Sequence, residues 1–259
     1  MKEDQKKSEQ NKSVKKKPRP LLIVLDIIIV LLIGSGLFLL IRPYYIAHKQ
    51  DEVMSQLDDL VEGSDADKML EGIWVDPEAN AIEGEALENF GAEDESGYDP
   101  NMTEIYATHP DDPDRTIETY EVPGWVQLVP LGQLQIDAID LRLPLLVGAG
   151  IVPLRYGAGW YEKSAGIGEA GRATILGHTM YYNMRFFSRL PELEIGQRVR
   201  IVRPEEILNY EIYDIKVIWE GELGDYLIKD DIPSEIMLVT CYNRPEWNQR
   251  YLVFARLLD

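Results

Sequence analysis

A chain of 259 residues with one cysteine cannot close a disulfide on itself. Its stability must come from burial, and a composition that is 45% hydrophobic suffices for one good-sized core plus extra segments. Histidine is scarce as well, with three in the chain. One cysteine and one well-positioned histidine supply too few ligands for a transition-metal site. Glycine-rich nucleotide fingerprints are missing. Gly148-Ala149-Gly150 and Gly166-Ile167-Gly168 fit none of the phosphate-binding patterns and read as turns. No internal repeat is visible.

Basic charge is in deficit, 26 Lys and Arg against 45 Asp and Glu, for a net charge of −19. The deficit is local. Residues 1–20 hold eight basic residues and three acids, whereas residues 51–121 hold 23 acids and two basic residues. So acidic a stretch repels a polyanion, which excludes DNA and RNA as expected partners.

Long apolar runs are absent except for one. Leu21 to Ile41 is interrupted only by Asp26. As a helix it spans roughly 31 Å, about the thickness of a bilayer core. The basic block before it (Lys12, Lys15, Lys16, Lys17, Arg19) keeps the N-terminus cytoplasmic by the positive-inside rule. Arg42-Pro43-Tyr44-Tyr45 follows, with no small-x-small cleavage site, so the run reads as an uncleaved anchor rather than a signal peptide. Everything after residue 42 then lies outside the cell. The domains expected are a basic cytoplasmic tail (1–20), a transmembrane anchor in the lipid bilayer (21–41), a juxtamembrane helical stalk (42–72), an acidic and largely irregular linker (73–121) and a C-terminal domain (122–259).

Val53, Leu57, Leu60 and Val61 fall on one face of a helix, which makes 42–72 either a stalk or a helix packed on the main domain. Pro77, Pro100, Pro110 and Pro113 among many acids mark 73–121 as irregular, although Trp74, Phe90, Tyr98 and Tyr106 are available to anchor it. From residue 122, short runs rich in Val, Ile, Leu and Tyr alternate with Gly and Pro. Strands are expected at 125–130, 133–137, 141–146, 173–177, 197–203, 208–219, 236–241 and 250–257. Leu208, Tyr210 and Ile212 keep one parity and Ile215, Val217 and Trp219 the other, which predicts a bulge. Met184 to Leu193 reads as a short helix or turn limited by Pro191. Eight short strands with little helix give a mainly β fold, an eight-stranded barrel.

In an exported chain a lone thiol is an intermolecular link, a reactive group, or a small buried hydrophobe. Cys241 ends the strand Ile236-Met237-Leu238-Val239-Thr240, and Arg250 opens the next. If those strands form an antiparallel hairpin, Cys241 and Arg250 are neighbours. His178 follows the apolar strand Ala173-Thr174-Ile175-Leu176 and Gly177, a strand end that hands a side chain to a site. His48, beside the membrane, and His109, in the acidic linker, have no such setting. A thiolate nucleophile, an imidazole acid/base and a guanidinium that stabilises an oxyanion suit acyl transfer from a peptide.

These residues carry a resemblance. Ala173 to Val199, ATILGHTMYYNMRFFSRLPELEIGQRV, and Leu238-Val239-Thr240-Cys241 with Arg250 on the next strand are similar to the Gly-His strand and TLxTC motif of the sortases, cysteine transpeptidases of Gram-positive cell surfaces. Leu143-Pro144-Leu145-Leu146-Val147-Gly148 is a weaker match, and the likeness covers roughly residues 124–258. It implies a sortase-like barrel with Cys241 as nucleophile, His178 as acid/base, Arg250 as oxyanion or substrate stabiliser and Thr240 shaping the substrate site. It further implies cleavage of an LPXTG-like sorting signal on surface proteins through a thioacyl intermediate, and transfer to an amine acceptor on peptidoglycan or a pilin. Some sortases bind calcium, but Glu162, Glu169, Glu220 and Glu222 show no diagnostic spacing and read as solvated, so no cofactor is expected. The sequence departs from the pattern at Met237, where the first Thr of TLxTC is expected, and at Thr179, where several subclasses have arginine. Asp76-Pro77-Glu78 and Asp99-Pro100-Asn101 do not match the Asp-Pro-aromatic lid of the pilus-building subclass. Arg244, in the loop after Cys241, competes with Arg250, but its direction is less fixed.

Two other readings use the same residues: a cysteine peptidase that hydrolyses its acyl-enzyme, and a non-catalytic, stalked β-barrel binding module with Cys241 buried. An L,D-transpeptidase is disfavoured because Val239-Thr240 stands where its His-Gly pair precedes the nucleophile. The anchor reading predicts that the full-length protein stays with membranes through high-salt and alkaline carbonate washing; release into the carbonate supernatant would contradict it.

Overall fold

The computed structural model describes residues 20–63, 65–76, 105–109, 112–119, 125–180, 184–244 and 246–258. The basic tail of residues 1–19, the acidic stretch 77–104 with its Asp99-Pro100 pair, and Pro110 lie outside the described residues. The chain divides into two units, Met1–Ile46 and Ala47–Asp259.

The apolar run lies in α1 (Pro20–Gly63), among the described residues the one helix long and apolar enough to cross a membrane. None of its apolar part is buried inside the protein. An α-helix bonds its own backbone, which is what a low-dielectric surrounding demands.

In the second unit, residues 47–63 of α1 follow the spacing anticipated from sequence. Leu57 and Val61 are buried, and Val53 and Leu60 half-buried. Leu57 and Val53 cluster with Val75, Leu128, Leu146 and Tyr156, so this part of the expected stalk is packed on the main domain. The Gln133 amide reaches across to donate to Asp58 at 2.8 Å. The short helix α2 (Ala66–Met69) starts at Asp65, whose carboxylate accepts from the Lys68 N–H at 2.9 Å. The expected irregular linker contains strands. β1 (Ile73–Val75) awaits a partner from beyond the linker, and β2 (Ile105–His109) and β3 (Asp112–Thr119) form an antiparallel hairpin. Prolines and acids outweigh the β-branched residues of this segment in composition, yet Ile73, Val75, Ile105, Thr116 and Ile117 are enough to build short ladders.

The run 125–130, expected as one strand, divides. β4 (Val126–Leu128) pairs with β1, and β5 (Pro130–Ile136) opens the barrel. Next come β6 (Leu141–Val147), helix α3 (Ile151–Tyr156) and β7 (Ala158–Trp160). β7 escaped the sequence reading because it is three residues long and half of its signal is small. Gly159 has no alternative: a Cβ there would lie 2.3 Å from the Gly148 carbonyl oxygen and 3.1 Å from Leu154. β8 (Arg172–Leu176) follows, then the two-residue pair β9 (Thr179–Met180) and β10 (Arg185–Phe186), and a 3₁₀ turn at Phe187–Glu192 that contains Pro191 rather than stopping at it. β11 (Arg198–Val202), β12 (Ile207–Trp219), a 3₁₀ turn at Glu220–Glu222, α4 (Gly224–Leu227), β13 (Glu235–Tyr242) and β14 (Gln249–Leu257) complete the chain.

Eight strands close the barrel in the order β11-β12-β14-β13-β8-β7-β6-β5, with β5 returning to β11. Two pairs are parallel, β6 with β7 across α3, and β8 with β13. The expected bulge lies between Ile212 and Asp214. It turns Ile215 to the central cluster and leaves Val217 and Trp219 exposed. The main core includes Leu134, Leu145, Ile175, Val199, Tyr210, Ile236, Leu238 and Val253. A second cluster, Leu154, Leu176, Ile218, Leu223, Met237, Val239, Leu252 and Phe254, lies between the other face of the strands and α3, α4 and their flanking turn. Alternation along β13 sends Leu238 to one cluster and Met237 and Val239 to the other.

Because residues 47–63 of α1 are part of this unit, Leu57→Ala is expected to destabilise it by about 2–5 kcal/mol, read as a lower urea midpoint with unchanged slope. An unchanged midpoint would show that this segment contributes no packing.

Candidate active site

Register settles the first expected contact. Across β13 and β14, Cys241 stands opposite Arg250. The turn between them uses left-handed backbone at Asn243 and Trp247, with φ of 67° and 54°. The Trp247 N–H donates to the Asn243 carbonyl at 2.8 Å, and the Asn243 amide to the Asn248 side chain at 3.1 Å, which stitches the loop closed. Arg250 is 1% exposed. Its Nη1 donates to the Trp247 and Gln249 carbonyls at 2.6 and 3.0 Å, and its Nη2 to Glu220 Oε2 at 3.0 Å. Arg244, its expected rival, is exposed in the loop, whereas Arg250 faces Cys241 across the ladder. Glu220, exposed as expected of a surface acid, is also the counter-ion of that guanidinium.

His178 arrives from the other side of β13. β8 and β13 run parallel with Leu176 opposite Val239, and the Gly177 N–H donates to the Val239 carbonyl at 3.1 Å. Both chains therefore reach the same end of the barrel together. Alternation carries Cys241 to the face of Met237 and Val239, and His178 to the face of Leu176, which is the same cluster. Gly177 is required here because Phe187 packs beneath it; a Cβ would meet the ring carbons at 2.5–2.9 Å. The Phe187 N–H in turn donates to the His178 carbonyl at 2.9 Å, which fixes the backbone that bears the imidazole.

The sequence reading missed two residues. Arg155, on α3, is buried, and its charge bears on His178. Nothing local in Pro153-Leu154-Arg155-Tyr156 announces this, since only the β6–α3–β7 crossover brings it there. Thr179 was noted only as a departure from the family, yet its hydroxyl lies 2.6 Å from the Thr240 hydroxyl and 3.0 Å from the Cys241 carbonyl oxygen. Thr240, buried, donates to the Gly177 carbonyl at 2.7 Å. His48 is exposed on α1 and His109 lies in β2, neither beside Cys241 in the sheet. Among the described residues no group of three or more His, Cys, Asp or Glu is arranged to hold a metal.

Burial first, and the Arg155 charge second, push His178 down to about 4, so the imidazole is neutral at physiological pH. It can accept a proton from a thiol and return it to a leaving amine. A nucleophile, a base on a neighbouring parallel strand and a fixed cation opposite the nucleophile are the parts needed for acyl transfer through a covalent intermediate.

Residues 134–258 match the sortase domain family. Sortase A of Streptococcus agalactiae serotype III (strain NEM316) is 26% identical over 133 residues, 49% of this chain and 52% of that protein. Sortase A of Listeria monocytogenes serovar 1/2a (strain ATCC BAA-679 / EGD-e) is 22% identical over 127 residues, 49% of this chain and 56% of that protein. The chain thus spans about half the length of the relatives it matches. Similar solved structures include a Clostridium perfringens sortase D5 transpeptidase (27% identity, TM-score 0.46, 50% of this chain and 79% of that one). Sortase C-3 from Streptococcus pneumoniae is another (24% identity, TM-score 0.47, 50% and 62%).

Two titrations oppose each other in this unit. Glu162, expected to be solvated, has a buried Oε1 without a hydrogen-bond partner, and burial pushes its carboxyl up to about 7. The native state refuses a proton on His178 that the unfolded chain takes up below its ordinary 6.5, so that contribution is complete above pH 6.5 and is lost as pH falls through 4. Glu162 works in reverse: the native state keeps a proton that the unfolded chain sheds above 4.5, and that contribution is lost as pH rises through 7. Relative to the parent, His178→Gln is expected to lose stability as pH rises from 4 to 6.5, and Glu162→Gln to gain it from 4.5 to 7. Each change is at most roughly 3 kcal/mol, reduced where solvent reaches the side chain. Urea titrations across this range check it; parallel profiles for parent and variants would refute it.

Proposed function

Given that the domain of residues 134–258 belongs to the sortase family, we propose that this chain is a membrane-anchored, outward-facing cysteine transpeptidase that joins proteins bearing an LPXTG-like sorting signal to an amine of the cell wall or of a pilin. The observation that carries this reading is the opposition of Cys241 and Arg250 across the β13–β14 ladder, with His178 at the end of the strand on the other side of β13. The apolar part of α1 supports an anchor, and the basic residues before it support an N-terminus on the cytoplasmic side.

In this reaction the neutral imidazole of His178 takes the proton from Cys241 Sγ. The thiolate attacks the carbonyl carbon of the scissile Thr–Gly bond, and the electron pair moves to the carbonyl oxygen. The positive field of Arg250 stabilises that oxyanion. Glu220 and the loop carbonyls hold the guanidinium in one orientation and temper its charge. As the tetrahedral species collapses, the C–N bond breaks and the departing amine takes the proton from the His178 imidazolium, leaving a thioester on Cys241. The acceptor amine then attacks the thioester, His178 receives its proton, and the thiolate leaves and is reprotonated. Atoms and charge balance without a metal or a redox partner. Thr240, buried, fixes the strand end behind the nucleophile through its hydrogen bond to the Gly177 carbonyl, and so shapes the substrate site.

Incubation of the full-length protein with a panel of sorting peptides and triglycine tests this. Mass spectrometry is expected to find the acyl fragment on the parent protein, none on Cys241→Ala, and an amine adduct in solution. Cys241→Ala and His178→Ala should lower turnover by at least about 10³-fold while keeping the thermal transition. Full activity in either variant would reject the assignment, and hydrolysis without adduct across a range of amines would make the protein a peptidase.

A further inference from the structure

The backbone ladder between β8 and β13 ends one residue short of the chemistry. Its last rung is the Gly177 N–H to the Val239 carbonyl, after which β9 turns away to pair with β10. His178 and Cys241 both lie past that rung, where nothing in the sheet pattern itself fixes their separation. Three side-chain contacts bridge the gap: Thr240 Oγ1 to the Gly177 carbonyl at 2.7 Å, Thr179 Oγ1 to Thr240 Oγ1 at 2.6 Å, and Thr179 Oγ1 to the Cys241 carbonyl at 3.0 Å.

Proton counting orders these contacts. Each hydroxyl has one proton. Thr240 gives its proton to the Gly177 carbonyl, so in the hydroxyl pair Thr179 is the donor and Thr240 the acceptor, with the Cys241 carbonyl as the alternative acceptor for the same proton. Every contact joins the segment bearing His178 to the segment bearing Cys241. Thr240 ties the residue before the base, and Thr179, the residue after it, ties both Thr240 and the nucleophile's own backbone. We infer that Thr179 is a positioning residue: its hydroxyl continues the β8–β13 ladder past its last backbone rung and sets the distance between His178 and Cys241. This rests on the reading of those two residues as the reacting pair. It assigns a purpose to the residue at which the chain departs from the arginine of several sortase subclasses.

The test compares Thr179→Val, which keeps the shape and removes the hydroxyl, with Thr179→Ser, which keeps the hydroxyl, in the full-length protein. Two readouts are used: kcat and KM on a quenched Leu-Pro-Glu-Thr-Gly peptide with triglycine, and the pH dependence of Cys241 alkylation by iodoacetamide, which needs no substrate. The valine variant is expected to lose about 10- to 100-fold in kcat with KM within about threefold, and its alkylation profile to shift along the pH axis. Serine is expected to restore both to within about threefold of the parent. A valine variant with parental kcat and alkylation profile overturns the inference, as does a serine variant as impaired as valine, or a loss confined to KM. If the valine variant loses its thermal transition, the serine variant decides: a parental alkylation profile supports the hydroxyl as the operative group, and a shifted one overturns it. Failure of the parent protein to form an acyl-enzyme with any sorting peptide refutes the transpeptidase reading instead, and the alkylation profiles still judge the clamp.

Discussion

The parallel pairing of β8 with β13 is the constraint on which the rest depends. It is one of two parallel contacts in a barrel otherwise antiparallel, and it aims the strands that lead to His178 and Cys241 in the same direction, so that both finish at one rim. The ladder is secured at its start by Arg172 and Glu235, directly opposite each other, buried and joined by an ion pair. The Tyr213 hydroxyl donates to the other oxygen of Glu235, and Arg172 also donates to the Tyr226 carbonyl. A buried pair with its remaining valences filled avoids the penalty of an uncompensated charge and fixes register. A slip of one residue would move every side chain to the opposite face and separate His178 from Cys241.

Charge near the reacting groups is arranged with comparable economy. Two arginines, Arg155 and Arg250, are buried on the two sides of the site. The first helps to keep the imidazole uncharged, and the second faces the thiol. Glu220 prevents the second from being a bare cation in an apolar setting, which would be costly to maintain. The guanidinium is thus held in place by the fold itself, which on the proposed chemistry is the condition under which a charge acts most strongly on a developing oxyanion.

Much of this was legible in the amino-acid order. Strand ends, parity and turn residues were enough to foresee the barrel, the bulge in β12, the facing of Cys241 and Arg250, and the place of His178 just past the end of a strand. What escaped had a physical reason in each case. β7 is too short and too glycine-rich to give a period. The prolines and acids of 73–121 masked the β-branched residues of β1, β2 and β3. Arg155 and Glu220 reach the site from α3 and from the turn after β12, by tertiary contacts that no local pattern encodes. Glu162 sits in a loop by sequence, but its carboxyl is turned into the protein.

The strands that bear the base and the nucleophile are distant in sequence, since Gly177 and Thr240 are 63 residues apart. Contacts of that span close a long loop, whose entropy must be met before the pairing is rewarded, and this makes them slow to form. On the function proposed above, a chain emerging on the outer face of a membrane would carry His178 before any thiol stood beside it. Cys241 would gain its partners only when β13 slots between β8 and β14. Completion of the barrel and onset of reactivity would then be one event, and an unfinished molecule would have no means of cutting its neighbours.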